Sequence, residues 1–441
     1  MLGSTSINRE RLQPQNSLYS HQQVGRRELV LLLIAAVFVF ANGLALNLAL
    51  DGRFYWWRLS APLAWLGIMA GAYLLLRISR PFHDPYLLPI VGLLTGWGFV
   101  LLARLAPNFL GRQVLWLAIG MAVMVGIAAW PRNLRFLRRY RYTWLIIGIF
   151  LLAATLFFGV NPSGGGAALW LKVPLLGRVY FQPSELLKLL LVVFLASYFE
   201  DRESLLVLNR RNGRFGPLPY LAPLLLMWGF CMILLVWQRD LGAATLFFIV
   251  FLSLLYLASG DKRYVLGGLL LLVVAGILGY FAFDVVALRI DTWVNPWPEA
   301  DTRGYQIVQS LYAIASGGVL GQGVAQGFPN YIPVVHSDFA FAAVAEEWGL
   351  IGAFGLVACF ALLAYRGLWI AIHSARPFRL YLAAGVTLTM TAQSLLIMGG
   401  VTKLLPLTGV TLPFVSYGGS SLLMSCIMVG LLLYLSDHKG N

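Results

Sequence analysis

Between Tyr331 and Gly349 the chain reads YIPVVHSDFAFAAVAEEWG, placing a histidine, an aspartate and two adjacent glutamates where the longest polar interruption runs back into an apolar segment. A carboxylate at such an edge could act as a general base, taking the proton from a hydroxyl as that hydroxyl attacks an electrophile. Asp338 is the leading candidate for the catalytic residue. An unperturbed aspartate titrates near about 3.9, so this chemistry needs partial desolvation or a hydroxyl already hydrogen-bonded in place. His336 would diverge from Asp338 on a regular helix, and a loop or helix start is needed for both to face one cavity. Ser337 or Asp338 could instead cap the next helix. Glu346 and Glu347, a turn or two into the apolar run, read as structural pair-formers.

Four further clusters put polar groups at the ends of apolar runs. In FQPSELLK, Pro183 can occupy a first helical turn, and Glu185 and Lys188 share a face just after Gln182. Glu185 could simply complement the helix dipole, yet Lys188 lies about a turn inside the run, where an ammonium needs an anion or a wet cavity. QRDLG sets Arg239 beside Asp240 in a hairpin with hardly any loop. Lys403 precedes a proline- and glycine-rich turn, and FVSYGGSS brings Ser416, Gly418 and Gly419 to the start of the last apolar run. Small residues there also permit close helix contact. The piece GGVLGQG at 317–323 has no strand before it and no Gly-Lys-Ser/Thr ending, so it reads as close packing or a re-entrant turn rather than a phosphate cradle.

The elements that position these groups follow from composition. Of 441 residues, 59% are hydrophobic and 11% charged, and the mean hydropathy is +0.78. Repeated apolar runs long enough for a hydrocarbon core of about 30 Å imply an all-α polytopic membrane protein rather than a barrel. Candidate spans fall at about 28–50, 58–77, 87–105, 112–130, 142–160, 184–199, 218–237, 240–258, 263–283, 341–368, 379–401 and 413–435, twelve in all. Residues 1–27 read as a disordered polar tail, 28–80 as two additional helices, 87–435 as the core, and 436–441 as a second tail. The net charge of +14 does not point to nucleic acid, because the arginines crowd short loops instead of one amphipathic face. Arg132, Arg135, Arg138, Arg139 and Arg141 fill one loop and Arg202, Arg210, Arg211 and Arg214 another, which puts both termini in the cytoplasm. The long connections 161–183 and 284–340 then lie outside, the second too long for a bare linker. Cys231, Cys359 and Cys426 sit in apolar runs and suggest neither a disulfide nor a metal-thiolate site.

Taken together, FQPSELLK, QRDLG, GYQIVQS at 304–310 with its glycine-rich sequel, HSDFAFAAVAEEWGLIG at 336–352 and LPLTGVTLPFVSYGGSSLL at 405–423 resemble the SEDS family (shape, elongation, division and sporulation) of RodA- and FtsW-like proteins, nearer the RodA type. The resemblance implies a peptidoglycan glycosyltransferase of the bacterial cytoplasmic membrane, polymerising lipid II at its outer face in complex with a class B penicillin-binding protein. It assigns the proposed catalytic aspartate to Asp338, and a cavity glutamate and lysine to Glu185 and Lys188. Asp240 matches the aspartate of a Gln-Pro-Asp-Leu-Gly block, with Arg239 where many members have proline. An arginine usual beside the tryptophan of the first outer loop is missing from Ala167-Ala168-Leu169-Trp170. The family core has ten spans, so 28–77 adds two.

On this reading Lys188, helped by Arg239 or Lys403, would neutralise the departing diphosphate, Glu185 would orient Lys188, and His336 would shape the site. A divalent cation (Mg2+ or Mn2+) could share that work, although no compact carboxylate cluster demands one. Two rivals use the same features: a lipid II flippase, which should carry charge through the bilayer depth and often shows repeated halves, and a noncatalytic scaffold for a cell-wall synthase.

Overall fold

The computed structural model describes residues 21–130, 134–161, 168–172, 179–211 and 218–437, side chains of 21–24, 51 and 203–224 excepted. The disorder expected of residues 1–20, Gly164-Gly165-Gly166, Ala167, Arg132, Arg214 and the side chains of Arg210 and Arg211 lie outside what is described. The helix that follows the tail is already running at His21, inside the stretch read as disordered.

In chain order the helices are α1 (His21–Asp51), α2 (Ser60–Ser79), α3 (Leu87–Leu105), α4 (Leu110–Ala128), α5 (Arg135–Arg139), α6 (Arg141–Phe158), α7 (Pro183–Arg211), α8 (Leu218–Trp237), α9 (Leu241–Ser259), α10 (Lys262–Ala282), α11 (Asp284–Val294), α12 (Tyr305–Gly317), α13 (Ala340–Ile372), α14 (Pro377–Val401) and α15 (Gly419–Ser436). Among the described residues ten helices are long and apolar enough to cross a membrane. The expectation was twelve. Helices α7 and α8 stand at the other two positions, α7 burdened by Glu185, Lys188, Glu200 and Asp201, and α8 counted only over Leu225–Trp237.

Local chemistry fixes the ends. Pro183 opens α7, where a missing amide costs nothing. Asp240 caps α9, its Oδ1 accepting from the Ala243 amide at 3.2 Å, and Gly260 closes that helix with φ 64°. The connection between α6 and α7 departs from all-α: β1 (Leu171–Lys172) pairs antiparallel with β2 (Tyr180–Phe181). Two-residue strands leave no periodicity to read.

Helix α7 packs between α6, α9 and α14, α15 lies on α4, and the additional helices wrap this core through α1 on α3 and α2 on α4. The long connection before α13 folds into α11, α12 and short turns, and α12 buries Ile307, Val308, Ser310 and Ala313 against its neighbours.

Helix α13 is not the single uninterrupted span expected. At Gly349 the backbone leaves helical geometry (φ 65°, ψ −163°). The glycine-rich turn after α12 fills the gap with backbone bonds: Gln322 N to Glu346 O (2.9 Å), Gly323 N to Glu347 O (3.0 Å), Leu350 N to Gly318 O (3.0 Å) and Ile351 N to Val319 O (3.3 Å). Such an interruption is tolerated in an apolar helix because these bonds replace the helical ones it loses. A Cβ on Gly349 would lie 2.3 Å from the Gly321 nitrogen, so only glycine fits.

Candidate active site

The break divides α13 into a half-helix, Ala340 to Trp348, and a longer remainder. The half-helix is buried through Glu347 and starts two residues after Asp338. Glu346 Oε1 accepts from the Phe328 amide at 2.8 Å, and Glu347 meets Arg104 of α3 at 3.5 Å. Both glutamates brace the half-helix. Trp348 donates through Nε1 to Asn42 Oδ1 of α1 at 2.9 Å, so an additional helix touches the break.

Capping does not account for Asp338 or Ser337. The residue at the N-cap of α13 is Phe339, with no side-chain capping bond. The Ser337 hydroxyl donates instead to Asp338 Oδ1, and the turn before α15 clasps the loop from the other side. Ser416 Oγ donates to Ser337 O (2.5 Å) and accepts from Leu412 N (3.1 Å), while Tyr417 N donates to His336 O (2.8 Å). The His336 ring lies 5.4 Å from that of Phe109 and 5.9 Å from that of Tyr417. Burial lowers its pKa, keeping the imidazole neutral at neutral pH. Asp338 keeps a partly open face with protein packed around the rest, and burial pushes its carboxyl up to about 6 against the Ser337 hydroxyl and the Arg289 guanidinium. Such a group is charged at neutral pH, yet basic enough to accept a proton.

A second polar chain runs beneath. Lys188 Nζ lies 2.6 Å from Glu185 Oε2 and donates to Gln393 Oε1 of α14 at 2.7 Å. Gln393 Nε2 donates to Thr411 O (2.7 Å), and Thr411 Oγ1 to Ser421 Oγ (2.8 Å). The ammonium is buried with its anion, so Lys188 is already neutralised from within. Gln182 joins the layer through its amide to Ser420 Oγ (3.1 Å) and its Nε2 to Ser184 Oγ (3.0 Å). Burial raises the pKa of Asp240, which lies at the same end.

The other expected site residues have separate surroundings. Arg239 is exposed and lines a cavity of about 90 Å³ with Val236, Leu241, Ala282, Phe283, Asp284 and Val285, at the junction of α10 and α11. Its φ of 62° is closed to proline, which is fixed near about −65°, so the replacement of proline goes with a different hairpin. Lys403 also has positive φ, and its carbonyl accepts from Trp293 Nε1 at 3.2 Å. Gly419 presses on α4: a Cβ there would lie 2.2 Å from Trp116 Nε1. Gly418 meets nothing closer than Ser421 Cβ at 3.5 Å.

Sequence reading missed Arg289 and Gln393. Arg289, on α11, donates through Nη1 to Thr408 O at 3.3 Å and lies where both Asp338 and Asp240 act on its charge. Its signal was a lone cation in the apolar run ALRI. Gln393 was visible as an amide inside an apolar helix, where a polar side chain needs a partner.

A bundle of apolar helices with a clasped carboxylate at one end defines a multi-pass membrane protein with a candidate catalytic site. Residues 88–441 match the family model described as cell cycle protein, FtsW/RodA/SpoVE. The peptidoglycan glycosyltransferase RodA of Mycobacterium tuberculosis is 36% identical over 423 residues, covering 93% of this chain and 90% of the relative. The probable peptidoglycan glycosyltransferase FtsW of Geobacter sulfurreducens is 35% identical over 333 residues, 75% of this chain and 86% of that protein. A solved chain from a study of how a peptidoglycan synthase complex coordinates polymerization and crosslinking superposes with a TM-score of 0.67 at 28% identity, covering 80% of this chain and 97% of its own. The chain belongs to the FtsW/RodA/SpoVE family.

Proposed function

We propose that this protein is a peptidoglycan glycosyltransferase that polymerises lipid II into β-1,4-linked glycan at the outer face of the bacterial cytoplasmic membrane. The observation that carries the reading is Asp338: a partly open carboxylate outside the membrane-spanning helices, raised to about 6 by burial and held by Ser337. The names of the relatives support the reaction class. Asp338 takes the proton of the acceptor 4-hydroxyl as its oxygen bonds to the donor anomeric carbon. The bond from that carbon to the diphosphate oxygen breaks, its electron pair leaves with undecaprenyl diphosphate, and the anomeric centre inverts. Glu185, Lys188 and Gln393 hold α7 against α14 beneath the site, and the neutral His336 shapes its wall between Phe109 and Tyr417.

The arginine-rich loops favour cytoplasmic termini, which turns Asp338 outward. A class B penicillin-binding protein is the partner this reading implies, since the similar solved chain comes from a synthase that couples polymerization to crosslinking. Among the described residues no group of three or more His, Cys, Asp or Glu residues is placed to hold a metal ion, so a divalent cation would bind chiefly through the diphosphate.

The test is an Asp338→Asn protein purified with its partner and supplied with labelled lipid II. Loss of glycan strands from a folded variant is the expected result. Strands formed at the wild-type rate would leave a flippase or a scaffold as the better reading.

A further inference from the structure

Helix α11 leans from the outer connection onto the turn between α14 and α15. There Arg289 Nη1 donates to Thr408 O at 3.3 Å, and the adjacent Gly409 is exposed with φ 71°. A Cβ built on Gly409 would have two neighbours within contact range: Arg289 Nη2 at 3.6 Å and Asp338 Oδ2 at 4.0 Å. Otherwise that point is open. Among the described residues Arg289 makes no ion pair with Asp338, and the buried Thr408 hydroxyl beside them has no hydrogen-bond partner. A guanidinium and a carboxylate thus border one open position on an exposed backbone.

We propose that Arg289 seats the diphosphate of the lipid-linked donor above Gly409, on the opposite side of that position from Asp338. The inference rests on the glycosyl-transfer reading and supplies a cation beside Asp338 itself. Lys188 is held by Glu185 and Gln393, and Arg239 faces the junction of α10 and α11. As the anomeric carbon–oxygen bond breaks, negative charge collects on the diphosphate oxygen, and a preplaced guanidinium stabilises it without reorganisation. The planar fork of arginine suits two phosphoryl oxygens at once, and its second nitrogen stays anchored on Thr408. The acceptor proton goes to Asp338 on the other side, so the two charges serve the two ends of one displacement. Burial lowers the pKa of Arg289 while Asp240 and Asp338 oppose the shift, in keeping with a cation that still has an anion to gain.

Equilibrium binding of undecaprenyl diphosphate to the full-length chain in nanodiscs tests this without requiring turnover. Undecaprenol serves as the uncharged comparator. Arg289→Ala is expected to weaken diphosphate binding by about tenfold or more and to leave undecaprenol binding unchanged. Arg289→Lys should recover part of the loss. Arg289→Gln keeps a donor toward Thr408 without the charge, so it reads the site even if the alanine variant fails to fold. Arg303→Ala removes an exposed arginine of the same connection, paired with Glu299 at 3.9 Å, and should bind as wild type. Wild-type diphosphate affinity in Arg289→Gln overturns the proposal, as does a wild-type chain that binds the diphosphate no better than undecaprenol. An Asp338→Asn protein that polymerises normally, alongside an Arg289 variant that loses the diphosphate, would sink the catalytic reading and leave the seat standing.

Discussion

Asp84 and Asp437 lie at one end of the helix bundle and Asp338 and Asp240 at the other, in different surroundings. Asp84 is ion-paired with Arg366, accepts from the Tyr86 amide at 3.0 Å, and its own amide donates to Ser436. Asp437 pairs with Arg80 at 3.1 Å, and Glu28 of α1 meets His83 at 2.9 Å. At this end carboxylates sit on cations and tie helices together. At the other end Asp338 has a serine hydroxyl and a guanidinium set apart from it, and one oxygen of Asp240 has no hydrogen-bond partner. Buried charges complete among themselves stabilise a fold once made, whereas incomplete ones leave room for a ligand.

Exchanging one carboxylate at each end is the sharpest way to break this contrast. Asp338→Asn should cut polymerisation by about 100-fold or more. It should not lower the melting temperature. A carboxyl raised to about 6 in the native state keeps a proton that the unfolded chain has lost between pH ~4 and 6, so stability falls as pH rises through that window. The asparagine variant escapes this cost and is expected to melt at or above wild type at pH 8. A lower melting point would place Asp338 with the structural carboxylates.

The pH profile comes next in size. The base form of Asp338 forms as pH rises through about 6, so the rate at low lipid II concentration should fall about tenfold per unit below that value and level off above it. A flat profile between pH 5 and 7 would mean another group carries the proton.

At the paired end, Asp84→Asn strips Arg366 of its anion and should cost about 2–3 kcal/mol of stability, seen as a lower melting temperature. Turnover per folded molecule should stay close to wild type. The smallest expected effect separates two neighbouring glycines: Gly419→Ala overpacks Trp116 and should cost about 1–3 kcal/mol, while Gly418→Ala should change stability by about 0.5 kcal/mol or less. A raised KM in Gly419→Ala at unchanged stability would return that residue to the substrate site.

What could be read without coordinates depended on distance along the chain. Apolar runs announced the helices, since burial in lipid imposes length and composition on every span. Glu185 and Lys188 pair within one turn, and the expected neighbourhood held. Asp338 stood out because a carboxylate at a membrane edge is costly. The break at Gly349 was hidden in EEWGLIG, whose composition continues the apolar run and whose replacement bonds come from 318–323. Arg289 was missed for the same reason, its partners lying at the cap of α9, in the loop before α13 and in the turn after α14. Arg239 was counted as a site cation, but its positive φ and exposed position set it in a cavity at the junction of α10 and α11, while the Lys403 backbone, also at positive φ, takes a bond from Trp293.

The clasp on the loop of Asp338 is built from the last part of the chain to be synthesised. Ser416 and Tyr417 hold residues 336–337 through their backbone carbonyls, Thr408 anchors Arg289, and Gln393 receives Lys188. A ribosome that has finished α13 has therefore made the aspartate and Ser337 but not the turn that clasps their loop, and the backbone of Gly409 beside the carboxylate also arrives later. The clasp is in this sense a mark of late biosynthesis: a chain stalled at the end of α13 would carry the aspartate without Gln393, Thr408, Ser416 and Tyr417.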